Sequence, residues 1–358
     1  MWANASRGTS TALWWRASIR NSRDGSRSCG RTCRLGRVSG GVRDSGWRAS
    51  GKMPESTIER ISMNHRKVGV VGVGLMGHGI AANIAKQGHA LSLLEHPGNQ
   101  PLDTLKAAGA RTFATGRELA AAVDVVILCV TGSPQVESVL ASDGGILQGM
   151  RPGTLIIDCS TAIPSSTERM AALVQEAGGR FMDAAMTRTP KEAAEGRLNL
   201  LVGGDAQVLA EHRELLACFA ENITHVGPVG AGHRMKLLHN YVSLGSVALI
   251  AEAAASAERA GIPAETFVQI LAQGGGAGTA LERIKPFILS KDPTGLKFTI
   301  SNAQKDLGYY VAMAHDADVP CAIAEAVHRT LTSAAQSNPE ALVPELVRLI
   351  AGGTGSAS

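Results

Sequence analysis

Apolar patterning first becomes regular at residue 68. The run VGVV is short and apolar at nearly every position, the form of a strand buried on both faces rather than one that alternates in and out, and it ends in a glycine-rich turn. From Met76 to about Gln87 apolar residues recur with helical spacing. After Gly88 a second apolar run, 90–94, ends on Glu95. Further runs at 123–130, 154–158, 180–183 and 198–202 alternate with helix-like stretches. Strands separated by helix predict right-handed crossovers and a doubly wound, mostly parallel sheet covered on both faces. From 232 to about 259 the pattern becomes one long Ala-rich helix without Pro. The remainder reads as helices punctuated by Gly261-Ile262-Pro263, 274–278 and Asp292-Pro293. The prediction is an α/β domain over 66–229, an all-helical domain over 230–350 and a flexible tail at 351–358.

Residues 1–65 share neither period. They hold all four Trp (Trp2, Trp14, Trp15, Trp47) and eleven Arg and one Lys against two Asp and two Glu. Little there can offset the entropy of ordering, so a disordered basic leader is expected. It reads as an extension upstream of a start at Met53 or Met63, with a mitochondrial transit peptide or a basic tail with a partner of its own as alternatives; the apolar core of a secretory signal is missing. The chain's net charge is +4, and because the leader carries that excess, the body is net acidic and presents no basic face for nucleic acid. No run of 18 apolar residues occurs, so no membrane span is expected. The six Cys show neither metal spacing nor a disulfide framework. No metal is expected, and the compartment reads as cytoplasmic, or mitochondrial matrix if the leader is a transit peptide.

The turn after the first strand carries the most chemistry. Gly72, Gly74 and Gly77 stand as G-x-G-x-x-G between a strand and a helix, with an acid about 20 residues on, which is the context a dinucleotide-binding Rossmann turn requires. Leu75 and Met76 open the helix whose N-terminus faces the phosphates. Glu95, ending the second strand, can accept both ribose hydroxyls and repels a 2′-phosphate, so the expected cofactor is NAD rather than NADP. Ligands gather at the carboxyl ends of such strands, which adds Val130, Thr131 and Thr161 to the expected cofactor contacts.

Four segments in order, GVGLMGHGIAANIAKQGH, DCSTAIP (158–164), GPVGAGHRMKLLHN (227–240) and KDLGYYVAMA (305–314), resemble the β-hydroxyacid dehydrogenase family over about 66–350. The resemblance implies an NAD-linked oxidoreductase that interconverts a small acidic 3-hydroxyacid and its semialdehyde, as a homodimer or homotetramer. It implies Lys236 as general acid or base, Asn240 one helical turn later holding the substrate oxygen, and Lys305 near cofactor and substrate, where a second cation would lower the Lys236 pKa. Ser160 and Thr161 become contacts to the substrate's acid group at the rim of the cleft, a role compatible with helix capping.

The segment DAAMTRTPKEAAEGRL departs from the family's commoner D-A-P-V-S-G-G. Thr187, Arg188 and Thr189 replace two glycines, and an Arg there can bind an anion bidentately. Sulfolactaldehyde reductases resemble this chain in having Arg-Thr at that turn, so a sulfonate, phosphate or second carboxylate is expected on the substrate; a surface pair with Glu192 or Glu195 is the alternative for Arg188. His239 before Asn240 is similar to 6-phosphogluconate dehydrogenase, whose helical domain is far longer. Two further alternatives stay open. One is a glyoxylate or succinic semialdehyde reductase, or an imine reductase, the last disfavoured by Lys236. The other is a non-catalytic dinucleotide-binding module, which would be expected to lose the lysine or the glycines.

Overall fold

The computed structural model of the chain describes residues 65–352. The leader reading for 1–65, His65 apart, and the tail reading beyond Gly352 fall outside the described residues. In chain order the first part runs β1 Lys67–Val71, α1 Leu75–Lys86, β2 Ala90–Leu94, α2 Asp103–Ala107, β3 Arg111–Phe113, α3 Gly116–Ala122, β4 Val125–Leu128, α4 Ser133–Ala141, β5 Leu155–Asp158 and α5 Pro164–Glu176. It continues with β6 Arg180–Thr187, α6 Pro190–Ala194, β7 Leu198–Gly203, α7 Ala206–Ala217 and β8 Ala220–Gly227.

These strands form one eight-stranded sheet in the order β3-β2-β1-β4-β5-β6-β7-β8. The order reverses at β1, which lies between β2 and β4, so the carboxyl ends of β1 and β4 flank the switch point where ligands bind. Both faces are covered because the strands are apolar at consecutive positions. Along β4, Val125 and Ile127 join the core that includes Ile80, Ile84 and Leu93, while Val126 and Leu128 join the opposite core with Leu119, Leu140 and Val174. Full burial of each such side chain stabilises by roughly 1.5–3 kcal/mol.

Two strands, β3 and β8, have no counterpart in the sequence reading. β3 is only three residues long, and β8 is an edge strand with half of its positions exposed and one buried, so neither leaves an apolar run. The expectation of helical crossovers also fails once: β6 runs on to Thr187 and pairs antiparallel with β7. Only residues 188–197, holding the five-residue α6, join them, too little chain for a crossover back to a parallel neighbour. Helix α6 docks on α1, where Asn83 Nδ2 donates to the carbonyls of Ala193 at 3.0 Å and Ala194 at 3.2 Å.

Beyond Gly230 all regular elements are helical: α8 Ala231–Arg259, α9 Ala264–Ala272, α10 Thr279–Ser290, α11 Ile300–Asp316, α12 Ala322–Ser337 and α13 Leu346–Gly352. By length and mean hydropathy (1.2 over 18 residues) α8 meets the criterion for a membrane span. Its apolar positions Leu244, Val247, Ala248 and Ala251 are instead buried in the helical core with Ile284, Phe287, Leu307, Leu331 and Leu346.

Candidate active site

The glycine turn is built for a group that the chain itself does not fill. Gly72 has φ +88°, a left-handed value that an L side chain resists, and a Cβ there would lie 2.3 Å from the Cys129 carbonyl oxygen. At Gly77 a Cβ would lie 2.0 Å from Gly72 O, whereas at Gly74 it would meet nothing within 4 Å. Gly74 caps α1 without a side-chain hydrogen bond, and the first return within the turn is His78 N–H to Gly74 O at 2.9 Å. The amides of Leu75, Met76 and Gly77 therefore have no intrahelical acceptor, and, with no atom crowding Gly74, they suit the phosphates of a dinucleotide.

At the end of β2, Glu95 lines a pocket of about 560 Å³ together with Asn99, Gln100, Leu102 and Lys106. Lys106 Nζ is 3.3 Å from Glu95 Oε1, and both side chains are about half exposed. A hydrogen bond from Thr112, followed by Lys106, holds the Glu95 carboxyl below its ordinary value. Glu95 therefore stays ionised, with a cation beside it that the sequence reading did not foresee.

Loops after β4 and β5 form the floor. Ser160, placed by sequence at a rim, is 3% exposed. Its Oγ accepts the Val130 amide at 3.0 Å, and its own amide is taken by Asp158 Oδ1 at 2.9 Å. Only its hydroxyl proton remains for a ligand, and Thr161 beside it is partly exposed. Burial pushes the Cys129 thiol up to about 12 and the Cys159 thiol well above its ordinary value, so both are inert neutral groups.

From the helical domain, α11 closes over the β4 loop. Lys305 Nζ donates to Thr131 O at 2.5 Å and lies 3.2 Å from Asp306 Oδ1, with the Tyr309 ring 5.5 Å away. Asp306, 3% exposed, accepts from Asn240 Nδ2 at 2.7 Å. Asn240 thus has one amide hydrogen left rather than a free amide. Sequence reasoning passed over Asp306 although it follows Lys305 directly in KDLG; its signal was an acid adjacent to the lysine on a helix.

Lys236, on the same face of α8 as Asn240, is partly exposed. Burial pushes its ammonium below the ordinary value, the nearby Lys305 acts in the same direction, and Asp306 opposes both. The structure thus brings together Lys236, Asn240 and Lys305, and adds Asp306.

It does not add Arg188 to that group. The residue sits at φ +81° where the chain reverses after β6, and its guanidinium pairs with Glu221 on β8 and with the Arg197 carbonyl. The alternative partners Glu192 and Glu195 are replaced by Glu221, because β8, unseen in the sequence, supplies the carboxylate. Thr187 Oγ1 accepts from Asn199 at 3.1 Å, and Thr189 caps α6 in a capping box with Glu192. The three residues of this turn are occupied by structural bonds.

Two family models match the chain in sequence: the NAD-binding domain of 6-phosphogluconate dehydrogenase over residues 67–227 and the NAD-binding domain of NADP-dependent 3-hydroxyisobutyrate dehydrogenase over 230–350. The chain is 31% identical to 2-(hydroxymethyl)glutarate dehydrogenase of Eubacterium barkeri over 258 residues, 71% of this chain and 84% of that one. It is 30% identical to 3-sulfolactaldehyde reductase of Escherichia coli over 75% of this chain and 89% of the relative. Mycobacterium tuberculosis 3-hydroxyisobutyrate dehydrogenase, solved with L-serine, superposes with a TM-score of 0.73 at 25% identity, covering 80% of this chain and 99% of that one.

Proposed function

The chain belongs to the β-hydroxyacid dehydrogenase family, and from that premise we propose that it interconverts a small acidic 3-hydroxyacid and its semialdehyde, with Lys236 as the proton-transfer group. The bound dinucleotide supplies the hydride acceptor or donor. Everything else falls to the chain's own side chains. In the oxidising direction the neutral Lys236 amine takes the hydroxyl proton while the carbinol C–H bond breaks; in reverse its ammonium returns that proton to the new alkoxide. The Ser160 hydroxyl, Thr161 and the remaining Asn240 amide hydrogen are the donors that orient the substrate's oxygens. Asp306 holds Asn240 and partly balances the charge of Lys236, whose pKa burial and the neighbouring Lys305 lower.

The carrying observation is that Lys236 lies among Asn240, Lys305 and Asp306 with no protein hydrogen bond to its Nζ among the described residues. Its donors are therefore open to a ligand. Lys236→Ala is expected to lower kcat by roughly 10²–10⁴ while dinucleotide binding, followed by fluorescence titration, is retained. An alanine variant of undiminished kcat would remove the lysine from the reaction.

The chemistry shared by the relatives' names, a hydroxymethyl or aldehyde carbon near an acid group, supports the substrate class. NAD over NADP is supported by Glu95, which would repel a 2′-phosphate. Glu95→Ser with His96→Arg is expected to move the NAD/NADP preference toward NADP, and an unchanged ratio of kcat/KM values would assign the choice to another residue.

A further inference from the structure

Beneath the first turn of α8 lie three ionisable side chains with no exposure at all: Asp158, Asp183 and His233. They come from β5, β6 and α8, and Thr167 of α5 joins them. Asp183 accepts the amides of Gly230 at 2.7 Å and His233 at 2.8 Å, which docks the start of α8 on the sheet. Asp158 accepts the Ser160 amide with Oδ1. Its Oδ2 has no hydrogen bond, and neither has His233 Nε2, yet these two orphan atoms face each other at 3.9 Å. On the other side of the ring, Nδ1 is 2.7 Å from Thr167 Oγ1 and 4.0 Å from Asp183 Oδ2.

A bare Nε2 lone pair against an ionised carboxylate oxygen would bury two acceptors against each other, and a proton on Nε2 relieves that contact as a proton on Asp158 Oδ2 would. The Thr167 hydroxyl has one hydrogen and is also 3.2 Å from the Ile163 carbonyl; giving it there leaves Oγ1 to accept from an Nδ1–H. Among the described residues no Lys or Arg pairs with Asp158 or Asp183. Two buried carboxylates without a cation are costly, and the imidazole is the group placed between them. Burial lifts the Asp183 carboxyl above its ordinary value, and His233 opposes that rise.

We propose that His233 is a positioning residue, a buried imidazolium latching Asp158 and Asp183, that fixes Lys236 relative to the loop carrying Ser160 and Thr161. It rests on the reading of Lys236 given above. Lys236 lies three residues beyond His233 on the same helix, and Asp158 sets the Ser160 backbone two residues away. One ring therefore ties the proton-transfer group to the substrate loop. Slippage of this joint by an ångström would lower the rate without removing any group that touches substrate.

The test uses the full chain, with ¹⁵N-labelled histidine assigned by difference from His233→Gln. Both ring nitrogens of His233 are expected to carry protons at pH 7.5; a ring nitrogen without one would overturn the proposal. His233→Gln and Asp158→Asn, compared per dinucleotide-binding site by titration, are each expected to lose at least tenfold in kcat with KM within about threefold. Asp158→Asn with His233→Gln, which replaces the ion pair by two amides, is expected to recover most of that loss; losses that multiply in the double variant, or single variants with full kcat, would overturn the latch. Should His233→Gln not fold, the wild-type spectrum and Asp158→Asn still decide. In Lys236→Ala the imidazolium signal is expected to persist and its loss counts against the latch, whereas activity in that variant would overturn the lysine reading instead.

Discussion

Lys236 owes its chemistry to where it sits. Since its pKa is lowered, the amine is neutral over a wider pH range than an exposed lysine. Alcohol oxidation should therefore gain rate as pH rises through a value below the ordinary lysine value of about 10.4, and aldehyde reduction should lose rate through the same value. Initial rates in both directions across pH would check this, and a limb that survives in Lys236→Ala would assign it elsewhere. The same placement carries a stability cost. Below the folded-state pKa the group is charged in both states and the folded state disfavours that charge, so the penalty is present at neutral pH and disappears as pH rises toward the unfolded value. Lys236→Met is accordingly expected to raise Tm at pH 7 while removing activity, measured by calorimetry beside the rate assay. Arg188 behaves oppositely. With its guanidinium committed to an exposed pair with Glu221, Arg188→Ala should cost less than about 1 kcal/mol of stability and change kcat/KM little for any acidic substrate. A loss confined to substrates with a second anion would show that the arginine leaves Glu221 to bind them.

At the scale of elements, the turn between β1 and α1 separates two roles of glycine. Gly77→Ala drives a Cβ onto Gly72 O and should destabilise the fold. Gly74→Ala meets no protein atom, so Tm should hold while dinucleotide affinity falls by tenfold or more; calorimetry and binding titration read the two separately, and equal losses of Tm in both variants would contradict the steric account. This turn, the long helix α8 and the strands β1, β2, β4, β5 and β7 were legible because each pairs a strong apolar period with a punctuating glycine or acid. β8 was not, because an edge strand with exposed positions carries no period, and missing it left Glu221, the carboxylate that pairs with Arg188, out of account. Lys236, Asn240 and Lys305 were legible as motif members. Asp306 and the orphaned Asp158–His233 contact were not, since their meaning lies in partners from elements distant in sequence.

At the scale of the whole molecule, polar groups that couple the sheet to the helical domain include the Lys305 contact to Thr131, the Asp183 bonds to the start of α8, the Arg234–Glu168 pair, the Ser165–Asp316 hydrogen bond and His233. All eight strands end by Gly227, whereas every partner that answers the Asp183 carboxylate, apart from its own strand, comes from Gly230 onward. The ribosome therefore delivers a complete sheet sequence before it delivers the groups that make the sheet's centre electrically tolerable. Until residue 233 has emerged, closing β5 against β6 buries two carboxylates with no cation, and the nascent chain should wait in a loosely packed state rather than fold strand by strand. A fragment ending at 229 is expected to lack fixed tertiary structure at pH 7.5 and to gain it as pH falls, because an unpaired buried carboxyl is raised in pKa and stabilises only when protonated. Near-ultraviolet circular dichroism across pH would show it, and a fragment natively packed at pH 7.5 would mean that the order of synthesis imposes no such pause.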